Sequence, residues 1–134
     1  MEREKHNHRS GIVFLPGGGM GKWIWTYLTP LLTYQALCID GRIDGEGSKD
    51  LKQITINDCV QFVVDTINST QLEKVILVAH SGSGCLLELI ADRIIDKVKG
   101  LIFISANIPP RGKRTIDVFP FFLKWMNLLS VKLA

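Results

Sequence analysis

One stretch constrains the fold of this chain more than any other: an apolar run that ends in a cluster of small residues. Residues 75–79 (Val-Ile-Leu-Val-Ala) predict a strand buried on both faces. His-Ser-Gly-Ser-Gly follows at once, and residues 86–95 then show the apolar periodicity of a helix. A strand and a helix joined by so few residues need a very tight turn. Ser81 lies at the apex of that turn, where the backbone is strained.

The neighbours of Ser81 suit such a turn, because Ala79 and Ser83 are small and two glycines, Gly82 and Gly84, let the helix begin close to the strand. The serine hydroxyl is then held above the end of a sheet, beside the N–H groups and the positive dipole end of a helix. Both favour a developing oxyanion. Ser83 is a second candidate nucleophile, one helical step later. The alternative without chemistry is a buried strand followed by a plain Ser/Gly turn.

A second glycine-rich segment, residues 16–22 (Pro-Gly-Gly-Gly-Met-Gly-Lys), follows the apolar run at 11–15. A phosphate-binding P-loop would need Gly at the position of Pro16 and Ser or Thr at that of Trp23. A dinucleotide-binding G-x-G-x-x-G motif would need Gly at the position of Lys22. Neither nucleotide motif fits. So many glycines still indicate a backbone that approaches something closely or adopts positive φ.

The remaining pattern alternates strands and helices, which predicts a parallel sheet. We expect strands over residues 11–15, 36–40, 74–80 and 99–105. A first helix is expected over 23–32, with Pro30 distorting or ending its last turn and with Trp23, Trp25 and Tyr27 packing. Thr55 and Asp58 predict the cap of a second helix, with one apolar face formed by Ile56, Val60, Val63, Val64 and Ile67.

Three motifs, in this order and spacing, resemble those of the α/β-hydrolase superfamily over residues 11–112. The turn at Ser81 resembles the G-x-S-x-G nucleophile elbow, with Ala79 and Ser83 in place of its glycines. Pro16-Gly17 resembles the start of the family's oxyanion loop, which usually reads His-Gly. Residues 40–48 resemble its D-x-R-G-x-G-x-S loop. The closest resemblance is to small esterases, lipase-like proteins and hydroxynitrile lyases.

The resemblance implies an α/β fold with a parallel, doubly wound sheet, truncated to the family's third to sixth strands in the order 4-3-5-6. It implies that Ser81 is the nucleophile and that the backbone N–H groups of Gly18 and Gly82 form the oxyanion hole. The substrate would be a small-molecule ester or related acyl compound. Lyases and thioesterases share the elbow, so the reaction type stays open. No cofactor and no metal site is expected.

The family's triad continues from Ser to an acid and then to His, and the resemblance implies that both come from loops after later strands, which this chain does not reach. His6 and His8 precede the first strand and enter at its far end, and His80 points to the face opposite Ser81. We therefore expect an incomplete serine hydrolase that is inactive or very weak alone. The alternative is a non-catalytic binding or interaction module that keeps the pocket.

Length and composition predict one domain in three parts: a polar N-terminal extension (1–10), a partial hydrolase core (11–112) and an apolar segment (113–134) that begins a cap. The body of the chain is nearly neutral, which disfavours nucleic-acid binding. The last segment is short for a membrane span and carries Lys124 and Lys132. Left uncovered, it would promote self-association.

Three cysteines, Cys38, Cys59 and Cys85, match no metal or redox spacing and are expected to be reduced and buried. The polar, charged N-terminus does not have the pattern of a secretory signal. Together these features favour a cytoplasmic location.

Overall fold

The computed structural model describes residues 9–40, 53–114, 117 and 120. Within these residues, four parallel strands form one sheet in the order β2-β1-β3-β4, as predicted. Every strand begins within one residue of its predicted start. The elements, in chain order, are β1 (Ser10–Leu15), β2 (Gln35–Cys38), α1 (Ile56–Asn68), β3 (Lys74–His80), α2 (Gly84–Arg93) and β4 (Val98–Ile104).

Several predictions fall outside the described residues: most of the loop at 40–48, the histidines His6 and His8, and most of the apolar segment 113–134. Within the described ranges, none of the helices combines the length and the apolar character needed to cross a membrane.

The sheet carries a different apolar cluster on each face. Along β3 the side chains alternate, as they must in an extended strand. Val75, Leu77 and Ala79 join the helix-side cluster, which packs the sheet against α1 and α2. Val78 points the other way and joins the Trp25 cluster, together with Phe14 and Trp25. β3 is therefore buried on both faces, which explains its continuous apolar sequence.

α1 begins at the predicted cap. The Thr55 hydroxyl accepts from the Asp58 backbone N–H at 3.2 Å, and the Asp58 carboxylate accepts from the Thr55 backbone N–H at 2.9 Å. This reciprocal pair is a capping box, and it satisfies two N–H groups that would otherwise lack partners. The predicted apolar face is buried except for Ile56, which is 57% exposed: Val60, Val63, Val64 and Ile67 lie in the helix-side cluster.

The predicted helix over 23–32 is wrong: the segment forms two short 3-10 turns, Lys22–Trp25 and Thr29–Leu31. Pro30 has no N–H to donate, and its ring clashes with the preceding helical turn, so a continuous helix is broken. The aromatic residues at its start are also modest helix formers. Trp25 packs as expected and is 6% exposed, but Trp23 and Tyr27 are 66% and 90% exposed. A packing role for those two was wrong.

Candidate functional site

Ser81 lies in a single 3-10 turn, Ser81–Ser83, that joins β3 directly to α2. Its φ is +52°, in the left-handed region that L-residues avoid. That conformation costs on the order of 1–2 kcal/mol for a residue with a Cβ. Among the described residues no hydrogen bond involves Ser81 Oγ. The hydroxyl is thus presented at the carboxyl edge of the sheet without a local partner.

The loop after β1 lies against this turn. β1 and β3 are neighbours, with Leu15 opposite Ala79, so the segments that follow the two strands leave the sheet at the same edge. A Cβ added to Gly17 would lie 3.0 Å from Ser81 Cβ, and one added to Gly82 would lie 3.8 Å from the Gly18 backbone nitrogen. The structure therefore brings together the three residues singled out from the sequence: Ser81, Gly18 and Gly82.

Three hydrogen bonds fix the backbone around Ser81. The Ser83 hydroxyl donates to the Pro16 carbonyl, and the Cys85 thiol donates to the Gly82 carbonyl over 3.1 Å. The Asn107 backbone N–H donates to the Ser81 carbonyl over 2.8 Å. Because the Ser83 proton is engaged with Pro16, Ser83 is less suited than Ser81 to act as a nucleophile.

A cavity of about 250 Å³ opens beside the turn. Its apolar wall is formed by the side chains of Leu15, Ile39, Val63 and Leu86. Gly82 and the glycine loop form its rim, together with Ser83, Cys85 and Asp40. The Asp40 carboxylate lies 3.8 Å from Lys22 Nζ, and both side chains are more than half exposed. Ser81 is not itself part of the wall, so the cavity lies adjacent to, rather than at, its hydroxyl.

The His80 ring is packed away from this cavity. A Cβ on Gly17 would lie 2.8 Å from His80 Nδ1, and the ring meets Trp25 edge-on with centroids 6.4 Å apart. His80 Nδ1 and Trp25 Nε1 are buried and make no hydrogen bond within the described part of the chain. His80 is the one histidine that the described ranges contain, and its ring lies on the Trp25 side of the sheet.

The three cysteines are free thiols. The sequence predicted that they are buried, but all three are only half-buried. Partial burial raises the pKa of Cys38, opposed by the charge of Lys22. It also raises the pKa of Cys59, where the nearby Asp58 carboxylate adds to the effect. At neutral pH both groups are therefore held in the thiol form.

Two hydrogen bonds of this site are not predicted by the sequence. For Ser83 the sequence predicts a small turn residue and a second candidate nucleophile, but not the bond of its hydroxyl to Pro16. Nothing in the sequence around Asn107 indicates the hydrogen bond of its backbone N–H to the Ser81 carbonyl.

Comparison with known proteins adds a family match over most of the chain. The model of the "Alpha/beta hydrolase family" matches residues 12–131. The chain is 30% identical over 113 residues to polyneuridine aldehyde esterase of Rauvolfia serpentina, covering 81% of this chain and 41% of that protein. It is 29% identical over 114 residues to alpha-hydroxynitrile lyase of Arabidopsis thaliana, covering 81% and 42%.

Among solved structures, an extracellular alpha/beta-hydrolase from a Paenibacillus species superimposes with a TM-score of 0.76 at 22% identity. The match covers 87% of this chain and 48% of that one, and at this identity it shows similarity of the fold alone. The chain spans less than half the length of the curated relatives it matches.

Proposed function

Since this chain belongs to the alpha/beta hydrolase family, we propose that it carries the nucleophile and the oxyanion donors of a serine hydrolase acting on esters or related acyl compounds. The observation that supports this most is the positive φ of Ser81 at the β3–α2 junction, with the loop of Gly17 and Gly18 packed against it. A strained residue that the surrounding fold retains is typical of a functional position.

In the proposed reaction, Ser81 Oγ attacks the carbonyl carbon of the substrate. The carbonyl oxygen gains negative charge and accepts hydrogen bonds from the N–H groups of Gly18 and Gly82. Collapse of this intermediate expels the alcohol and leaves an acyl group on Ser81, which water then removes. The apolar cavity walled by Leu15, Ile39 and Leu86 would hold a non-reacting part of the substrate.

The proton of Ser81 needs a general base, and the described residues do not supply one. His80 is unsuitable because its Nδ1 faces Gly17 and its ring packs on Trp25. A serine hydroxyl without a base is a poor nucleophile. We therefore expect this chain by itself to react slowly, as an incomplete hydrolase site. The same observation favours a second candidate, a binding module that keeps the pocket and performs no chemistry.

The test is covalent labelling of the purified chain with a fluorophosphonate probe, combined with turnover of p-nitrophenyl acetate. We expect slow labelling of Ser81, located by peptide mass spectrometry and lost in Ser81→Ala, with turnover close to that variant. Ser105→Ala is the matched control, because Ser105 also has a positive φ (44°) at a strand exit and should leave labelling unchanged.

Absence of any labelling above Ser81→Ala would favour the non-catalytic module. Turnover well above Ser81→Ala would mean that a base does reach Ser81, and would contradict the proposed incompleteness. Labelling that persists in Ser81→Ala would contradict the assignment of the nucleophile.

A further inference from the structure

The hydroxyl of Ser83 connects the two loops that form the candidate site. Ser83 Oγ donates to the carbonyl of Pro16, a residue 67 positions earlier in the chain. Pro16 is the first residue after β1, and Ser83 is the last residue of the turn after β3. It is a long-range side-chain bond between these segments, and it lies directly beside Gly17 and Gly82.

This hydrogen bond replaces the backbone hydrogen bond that would come next between β1 and β3. The ladder between β1 and β3 ends at the pair Leu15 and Ala79. Pro16 has no N–H with which to continue it, yet Pro16 is buried and its carbonyl still needs a donor. The Ser83 hydroxyl supplies that donor. Without it, the buried carbonyl would be left unsatisfied, or the loop would move to reach water.

Among the described residues, little else fixes the tip of the glycine loop. The Met20 N–H donates to the Gly17 carbonyl at 3.1 Å, a contact within the loop itself. Gly18 and Gly19 are exposed, and a Cβ added to either would meet no atom within 4 Å. Gly19 also has a φ of +72°. The position of the Gly18 N–H is therefore determined by its anchored neighbours, Pro16 and Gly17.

From this arrangement we propose that Ser83 is a positioning residue, whose hydroxyl sets the spacing between the N–H groups of Gly18 and Gly82. The proposal rests on the proposed function, because it gives those two N–H groups their role. Ser83 does not touch the reacting atoms. It acts through the Pro16 carbonyl on the loop, and a small displacement of an oxyanion donor is sufficient to slow the chemical step.

The proposal is tested with Ser83→Ala, which removes the hydroxyl. The matched control is Ser69→Ala, which removes another serine hydroxyl bonded to a backbone carbonyl, that of Thr66 at 2.8 Å, at the far end of α1. Two quantities are measured on the full chain: amide hydrogen exchange of the peptide covering residues 16–21, and the kinetics of fluorophosphonate labelling at Ser81.

For Ser83→Ala we expect exchange in the loop to accelerate about fivefold, the range that one net hydrogen bond gives. We expect the limiting labelling rate to fall about tenfold, with no change in the probe concentration that gives half-saturation. Ser69→Ala should change neither quantity. Ser83→Thr keeps the hydroxyl at a helical backbone conformation (φ −72°, ψ −8°) and should restore both.

Unchanged loop exchange in Ser83→Ala would overturn the proposal. Faster exchange with an unchanged labelling rate would also overturn it, because Ser83 would then be structural only. If the unmodified chain does not label above Ser81→Ala, the proposed function fails, and the positioning role fails with it. Loop exchange then still reports whether the hydroxyl anchors the loop, so the two failures are distinguishable.

Discussion

Gly17 and His80 are in such close contact that a Cβ on Gly17 would lie 2.8 Å from the Nδ1 atom of the His80 ring. The same Cβ would lie only 3.0 Å from Ser81 Cβ. Glycine is therefore required at position 17 by lack of space rather than by φ. Because Gly17 has no side chain, the segments that follow β1 and β3 can lie close together. The candidate site depends on this close approach.

We predict that Gly17→Ala lowers the free energy of unfolding by about 1–3 kcal/mol, as expected when a packed contact is overfilled. Urea denaturation followed by circular dichroism measures the change. Gly100→Ala is the control, since a Cβ there would meet no atom within 4 Å and should leave stability within about 0.5 kcal/mol of the unmodified chain. Equal stabilities for the two variants would mean that the loop does not rest on the Ser81 turn.

The strain at Ser81 predicts an unusual order of stability. Ser81→Gly should be more stable than Ser81→Ala by about 0.5–1 kcal/mol, because glycine alone adopts a φ of +52° without steric cost. At Ser69, where φ is −73°, the order should reverse. Thermal unfolding of the four variants decides the matter, and the same order at both positions would argue against strain at Ser81.

The capping box of α1 predicts a contrast between two threonines of one segment. Thr55→Ala should cost about 1 kcal/mol, because it removes the side chain that accepts from the Asp58 N–H. Thr66→Ala should be close to neutral, because its hydroxyl bonds to the Phe62 carbonyl within the helix, which adds little. Denaturant midpoints compare them directly. A larger loss at Thr66 would contradict this account of the cap.

The raised pKa values of Cys38 and Cys59 predict slow alkylation at neutral pH. The thiolate is the reactive form, and a raised pKa lowers its fraction below that of a free thiol. Their rates with iodoacetamide should therefore stay below that of glutathione at pH 7.5 and keep rising at pH values where glutathione has levelled off. Peptide mass spectrometry follows each site. A rate equal to that of glutathione at either cysteine would contradict the burial found here.

The exposed face of β4 predicts association of the isolated chain. Ile102 and Ile104 are 46% and 38% exposed, although the strand has the apolar sequence of a sheet interior. Replacing both by Thr should shift the chain towards monomer in analytical ultracentrifugation. Leu31→Thr, at a side chain outside β4 that is 79% exposed, is the control and should have no effect. An unchanged distribution in the double variant would exclude this face as a source of association.

Much of the fold follows from local patterns in the sequence. The starts of the strands and the box of Thr55 and Asp58 depend on residues close together in the chain, so periodicity and cap residues predict them. The parallel pairing joins distant residues and follows from the alternation of strands and helices along the chain. The segment from Lys22 to Leu31 was not predictable in the same way, because its apolar residues fit a helix and only Pro30 signals the break. In that segment, packing on the sheet buries Trp25 and leaves Trp23 and Tyr27 exposed.

The candidate site also contains some features that the sequence predicts and others that it does not. Ser81, Gly18 and Gly82 could be chosen from the sequence because small residues and glycines mark the two turns. The bond from Ser83 to Pro16 could not, since it depends on how far apart two strand exits lie after the ladder ends. The same holds for the edge-on contact of His80 with Trp25, which depends on a loop that closes over the sheet face.

The hydrogen bond from the Asn107 N–H to the Ser81 carbonyl has a directional consequence for the neighbouring residue. The carbonyl of Ser81 and the N–H of Gly82 belong to one planar trans peptide unit, in which they point in opposite directions. Holding that carbonyl towards the exit of β4 aims the Gly82 N–H away from it, and the whole peptide plane is prevented from rotating. The orientation of a backbone vector beside Ser81 is thus set by a residue beyond the last strand of the sheet. A shorter polypeptide ending at β4 would keep every residue of the turn and lose control over where that vector points.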